Sequence, residues 1–69
     1  MLELDILLVP FAQKHVQHLT EEQQELYILL LLEEDQDLYS WLTRKEQAPN
    51  PRLQNMIEII LKKHEESKN

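Results

Sequence analysis

The sequence predicts an all-α fold: a small antiparallel bundle of four helices forming a single helical domain over residues 1–69. Three observations lead there. The 69 residues contain no glycine and no cysteine. Leu, Glu, Gln and Lys, all good helix formers, dominate the composition. In the stretch with the cleanest pattern, Leu53, Met56, Ile57, Ile60 and Leu61, apolar residues recur at spacings of three and four. The missing glycines remove the usual residues of tight β-hairpins. They also exclude Gly-rich phosphate loops and dinucleotide fingerprints. The missing cysteines exclude disulfide scaffolds and thiolate metal sites, and fit a reducing compartment. A chain of this size buries only about 60% of its unfolded surface, so its core must be used economically.

Residues Leu2 to Leu19 read as one helix with a kink. Glu3, Pro10, Lys14 and Gln17 project onto a narrow polar stripe, with Leu4, Leu8, Phe11, Ala12, Val16 and Leu19 around the other side. Pro10 removes a bond to residue i−4 and is expected to kink the helix, convex toward water. A break into two helices at Val9 is the alternative. Asp5 is the odd residue, projecting into the middle of the apolar arc. It reads either as a carboxylate capping or pairing locally, or as an acid facing a partner.

Thr20 opens the second helix. Thr20 and Gln23 make a capping-box pattern, and Glu21 and Glu22 sit in the first turn, where the helix dipole favours negative charge. Leu26, Leu29 and Leu30 are its expected core stripe. Tyr27, Ile28, Leu31 and Leu32 add apolar surface nearly all round, which predicts a central helix. An acidic corner follows, with Glu33, Glu34, Asp35 and Asp37 packed into five residues. Asp35 is the expected N-cap of a third helix running from about Gln36 to Lys45. Leu38, Trp41 and Leu42 make one face of that helix and must fold back to bury the lone tryptophan. After a loop from Glu46 to Pro49, Asn50 and Pro51 are placed as N-cap and first residue of the fourth helix. Its stripe of Leu53, Met56, Ile57, Ile60 and Leu61 is the cleanest amphipathic signal in the chain. Residues from Glu65 to Asn69 read as a polar, fraying tail.

The net charge of −6 is uneven. Residues 1–40 carry nine acids and one base, Lys14, giving −8; residues 41–69 carry six bases and four acids, giving +2. That balance argues against nucleic-acid binding through a basic face. No run is long enough for a transmembrane helix. The first residues include Glu3 and Asp5 but no Lys or Arg, so they do not read as a signal peptide. A soluble protein without membrane insertion is expected, in the cytoplasm, or in the mitochondrial matrix of a eukaryote.

No catalytic set emerges. His15 and His18 stand at i, i+3 with His64 alone, and the sequence supplies no third ligand beside the pair, so no bound metal is expected. The acids from Glu33 to Asp37 lack the spacing and turn glycine of a calcium loop. Ser40 and Thr43 have no nearby histidine to act as base. Two non-enzymatic readings remain: a module that docks a partner protein, and a structural homo-oligomer. Clustered acids on the first three helices favour a monomer. The aliphatic excess from Tyr27 to Leu32 opposes this, since it implies an uncovered patch.

Several pieces, in order, resemble the SdhE-type succinate dehydrogenase assembly factors. These are Met1-Leu2-Glu3-Leu4-Asp5, Pro10-Phe11, Leu19-Thr20-Glu21-Glu22 and Asp35-Gln36-Asp37-Leu38-Tyr39-Ser40-Trp41-Leu42. The functional motif of that family is Arg-Gly-x-x-Glu, usually followed by Leu-Asp. Glu3 and Asp5 match its Glu and Asp, and Met1 and Leu2 take the x positions. The Arg and Gly would fall just before Met1, so the fold expected here lacks the family's short first helix. The resemblance implies that Met1, Leu2, Glu3 and Asp5 contact a partner, the flavoprotein subunit of succinate dehydrogenase or fumarate reductase. It implies no cofactor bound by this chain itself. It further implies that the factor holds the flavoprotein while the latter's own histidine attacks the FAD methyl group. An antitoxin-like or purely structural interaction module is the alternative.

Overall fold

Thr20 shows in full how this chain starts a helix. Its hydroxyl accepts from the Gln23 amide at 3.1 Å, and the Gln23 side chain accepts from the Thr20 amide at 3.0 Å, closing the capping box. Asn50 does the same work with one bond, its side-chain oxygen accepting from the Arg52 amide at 2.8 Å ahead of Pro51. The computed structural model describes residues 1–67, and among them there are helices and no strand. Helix α1 spans Leu2–Lys14, α2 Glu21–Leu31, α3 Asp35–Leu42 and α4 Pro51–Ser67, with a 3₁₀ turn over Val16–His18 between α1 and α2. The all-α, four-helix expectation is borne out.

The fourth helix is the hub. It packs against α1, α2 and α3, and α1 also touches α3. Of its expected stripe, Leu53, Met56, Ile57 and Ile60 are buried, with Ile57 and Ile60 fully inaccessible, while Leu61 is only half-buried at the edge of the core. Around it close Leu4, Leu8 and Phe11 from α1, Tyr27 and Leu30 from α2, and Leu38, Trp41 and Leu42 from α3. Trp41 folds inward as its spacing requires, with only 5% of its surface exposed. Two partners lock α1 to α2: the Phe11 and Tyr27 rings lie 5.4 Å apart, and the Tyr27 hydroxyl donates to the Leu8 carbonyl at 3.2 Å. Burial pushes the Tyr27 phenol above its ordinary value.

Several sequence expectations are corrected. The first helix runs unbroken through Pro10 but stops at Lys14 rather than Leu19, and a 3₁₀ turn carries the chain to Thr20. Val16 and Leu19 are therefore half-buried flank, and Ala12 is exposed. The second helix is peripheral, not central. Leu30 is buried and Leu26 half-buried, but Ile28, Leu29, Leu31 and Leu32 are exposed, Leu32 by 77%. Its core stripe is Tyr27 and Leu30, because α4 covers only one side of it. Glu34, not Asp35, occupies the N-cap of α3, without a side-chain bond to the helix. Asp35 and Asp37 lie in the first turn, where the dipole still favours them.

The third helix also ends earlier than expected, at Leu42, and its exit is unusual. The Arg44 amide bonds the Trp41 carbonyl at 3.2 Å and the Lys45 amide the Ser40 carbonyl at 2.9 Å, the pattern of a Schellman cap. That cap needs a left-handed residue, normally glycine. A chain without glycine puts Arg44 there, at φ 62°. The Arg44 side chain then lies across α4 and makes two hydrogen bonds to Glu58, of 2.8 and 2.9 Å. The bonds from Arg44, then the one from Gln54, hold the Glu58 carboxyl below its ordinary value.

Candidate partner-docking surface

The first two turns of α1 turn one face inward and the other outward. Leu4, Leu8 and Phe11 fall at i, i+4, i+7 and are all buried, which fixes the rotation of the helix. That rotation leaves Met1, Leu2, Glu3 and Asp5 exposed, Leu2 by 73%. Asp5 thus departs from its projected place in the apolar arc. The arc of apolar residues is wider than the arc that is buried, since Ile6 and Val9 are exposed as well. Neither Glu3 nor Asp5 makes a side-chain hydrogen bond or ion pair among the described residues, so neither is a cap for another helix. Both stand at a helix N-terminus, where a carboxylate is favoured.

Packing of α1 on α3 brings a further acid to this end of the molecule. The Met1 amino group lies 3.5 Å from a carboxylate oxygen of Asp35. The start of α1 and the acidic corner are therefore one continuous surface, with two exposed apolar side chains, Met1 and Leu2, beside Glu3, Asp5 and Asp35. The sequence offered no sign of that junction, because thirty residues separate its parts.

A second feature lay outside the sequence reading. A groove of about 210 Å³ runs between α1 and α4. It is lined by Ile6, Pro10, Lys14 and His15 on one side and by Lys63 and His64 on the other. The two histidines that share it are not the pair that sequence spacing suggested. The helix breaks at His15, and His18 is exposed in the 3₁₀ turn. Among the described residues no three His, Asp or Glu side chains gather as a metal site. The Thr43 hydroxyl bonds back to the Tyr39 carbonyl at 2.6 Å, away from any histidine. No helix among the described residues is long and apolar enough to cross a membrane.

The described residues form an α-helical domain that turns an acidic and apolar end toward solvent, the kind of surface by which a binding protein meets its partner. Comparison with known proteins makes this specific: the chain belongs to the SdhE-type FAD assembly factor family, its residues 1–64 matching the family model described as flavinator of succinate dehydrogenase. It is 49% identical over 61 residues to the FAD assembly factor SdhE of Pseudomonas putida, a match covering 88% of this chain and 73% of that protein. It is 43% identical over 61 residues to the protein of the same name from Pseudomonas syringae pv. tomato, with the same coverage. With that of Haemophilus influenzae it shares 37% identity over 60 residues, 87% of this chain and 71% of the other. No solved structure matches. The family is one of assembly factors and not of catalytic enzymes.

Proposed function

We propose that this chain docks on the flavoprotein subunit of succinate dehydrogenase, or of fumarate reductase, and promotes covalent attachment of FAD to it. Met1, Leu2, Glu3 and Asp5 are the contact residues in this reading, and the chain works as a monomer in the cytoplasm. The observation that carries it is the coincidence of two facts. The family match includes the first residues of the chain, and Glu3 and Asp5 are exposed with no internal task. An exposed carboxylate on a helix whose inner face is fixed by Leu4, Leu8 and Phe11 is free to serve a partner. The chain supplies no nucleophile or base to the reaction. It supplies a surface that holds the flavoprotein in a competent shape, and the flavoprotein's own histidine makes the bond to the FAD methyl carbon.

The test is co-expression with a succinate dehydrogenase flavoprotein subunit in cells lacking their own assembly factor, reading covalent flavin by in-gel fluorescence. Glu3→Ala is expected to lower flavinylation while leaving the melting temperature nearly unchanged. Full flavinylation by Glu3→Ala, where omission of the wild-type chain abolishes it, refutes the assignment of Glu3. Asp5→Ala is expected to behave the same way, because Asp5 is exposed too. A parallel chain with Arg-Gly placed ahead of Met1 reports what those two residues add.

A further inference from the structure

We propose that the groove between α1 and α4 is a second contact of the same docking surface, taking an acidic segment of the flavoprotein that inserts an aliphatic side chain; this rests on the functional reading above. Charge is the first argument. The chain carries thirteen acids and a net charge of −6, yet none of the residues lining the groove is acidic. Two of them, Lys14 and Lys63, are cations. Of the arginines, Arg44 is occupied by Glu58 and Arg52 by Glu22. Lys14, the one base of the first forty residues, has no ion-pair partner among the described residues. Lys63 has only Glu66, one turn on and 3.6 Å away, an exposed contact that competes weakly. The groove is therefore a cationic feature of an anionic protein, and its complement is an acidic chain.

Size and continuity supply the rest. At about 210 Å³ the groove lies below the usual range of about 300–1,000 Å³ for cofactor-sized ligands. It suits one or two aliphatic side chains against the Ile6 and Pro10 walls. Leu2, Ile6, Pro10 and Lys14 follow each other at i, i+4 along α1, and all four are exposed. This stripe leads without interruption from the proposed contact residues into the groove.

The experiment measures affinity for a purified succinate dehydrogenase flavoprotein subunit by calorimetry, at two salt concentrations, with the melting temperature of each variant alongside. Lys14→Glu/Lys63→Glu is expected to bind about tenfold more weakly or worse, and to lose part of the salt dependence of the wild type. Lys14→Gln/Lys63→Gln should fall between, and decides the matter if the charge reversal does not fold. Ile6→Ala should weaken binding at both salt concentrations. Wild-type affinity in the two lysine variants overturns the proposal while leaving the functional reading intact. No binding by the wild-type chain overturns both. A wild-type self-association that the lysine variants abolish would assign the groove to a second copy of this chain and also overturn the proposal.

Discussion

Tyr27→Phe tests the junction that holds α2 to α1. The substitution keeps the ring, its 5.4 Å contact with Phe11 and nearly all of its buried area. It removes one buried hydrogen bond, the 3.2 Å donation to the Leu8 carbonyl. That carbonyl keeps its place in the α1 ladder, so no acceptor is orphaned, and the loss should be the net value of one bond, about 0.5–1.5 kcal/mol. In a domain this small each kcal/mol moves the melting temperature by about 4–8 °C. Thermal unfolding followed by circular dichroism at neutral pH should show that drop. Alkaline pH adds an independent check. The folded phenol has a raised pKa because it is buried, while the unfolded phenol ionises near pH 10. Above that pH the unfolded chain has lost a proton the folded chain still holds, so stability falls with rising pH. The Phe variant lacks this loss, and the gap between the two proteins should close above about pH 10. A Phe variant melting at or above the wild type at neutral pH, with an unchanged gap in alkali, would refute the hydrogen bond and the burial together.

Trp41→Ala should cost about 3–5 kcal/mol. Since a chain of 69 residues has about 3–10 kcal/mol in all, that variant should be largely unfolded by circular dichroism at 37 °C. Thr20→Ala removes one half of the capping box and should cost about 0.5–2 kcal/mol in urea titrations, with no change in the m-value. Arg44→Gly relieves the left-handed backbone but forfeits the bonds to Glu58. At high salt, where the exposed pair is screened, the glycine variant should melt higher than the wild type. Acid should have the same effect, because the depressed Glu58 pKa contributes stability that is present above the ordinary carboxylate range and is lost as pH falls through its lowered value. A glycine variant that melts lower under both conditions would contradict the strain assigned to Arg44.

The sequence was most legible where one physical signal acted alone. The Thr20–Gln23 box, the Asn50–Pro51 start and the α4 stripe each depend on local spacing, and each appears as expected. Burial of Trp41 followed from its place beside Leu38 and Leu42. Legibility failed where apolar residues outnumber the surface available to cover them. In α2 six of eleven residues are apolar, so composition alone placed it at the centre. In the structure the hub is α4, whose stripe is narrower and whose three neighbours use it up. The same excess misplaced Asp5, since Ile6 and Val9 widened the apparent apolar arc beyond what Leu4, Leu8 and Phe11 bury. The candidate contact residues were legible through resemblance rather than pattern. The groove was not legible at all, because Lys14 and Lys63 meet only after α1 and α4 pack.

The position of the hub in the chain has a consequence for synthesis. The element that α1, α2 and α3 all lean on is the last of the four to leave the ribosome. Until Pro51–Ser67 emerges, the nascent chain holds Leu30, Trp41 and Leu42 with no α4 to cover them. Translation at about 5–20 residues per second delivers these seventeen residues within about a few seconds. A cotranslational folding assay should therefore find the bundle folding as one late event, with ribosome-bound chains ending before Pro51 sensitive to protease along their whole exposed length. A protein that shepherds another through its maturation would, during its own, pass through an interval when its apolar faces wait for their cover.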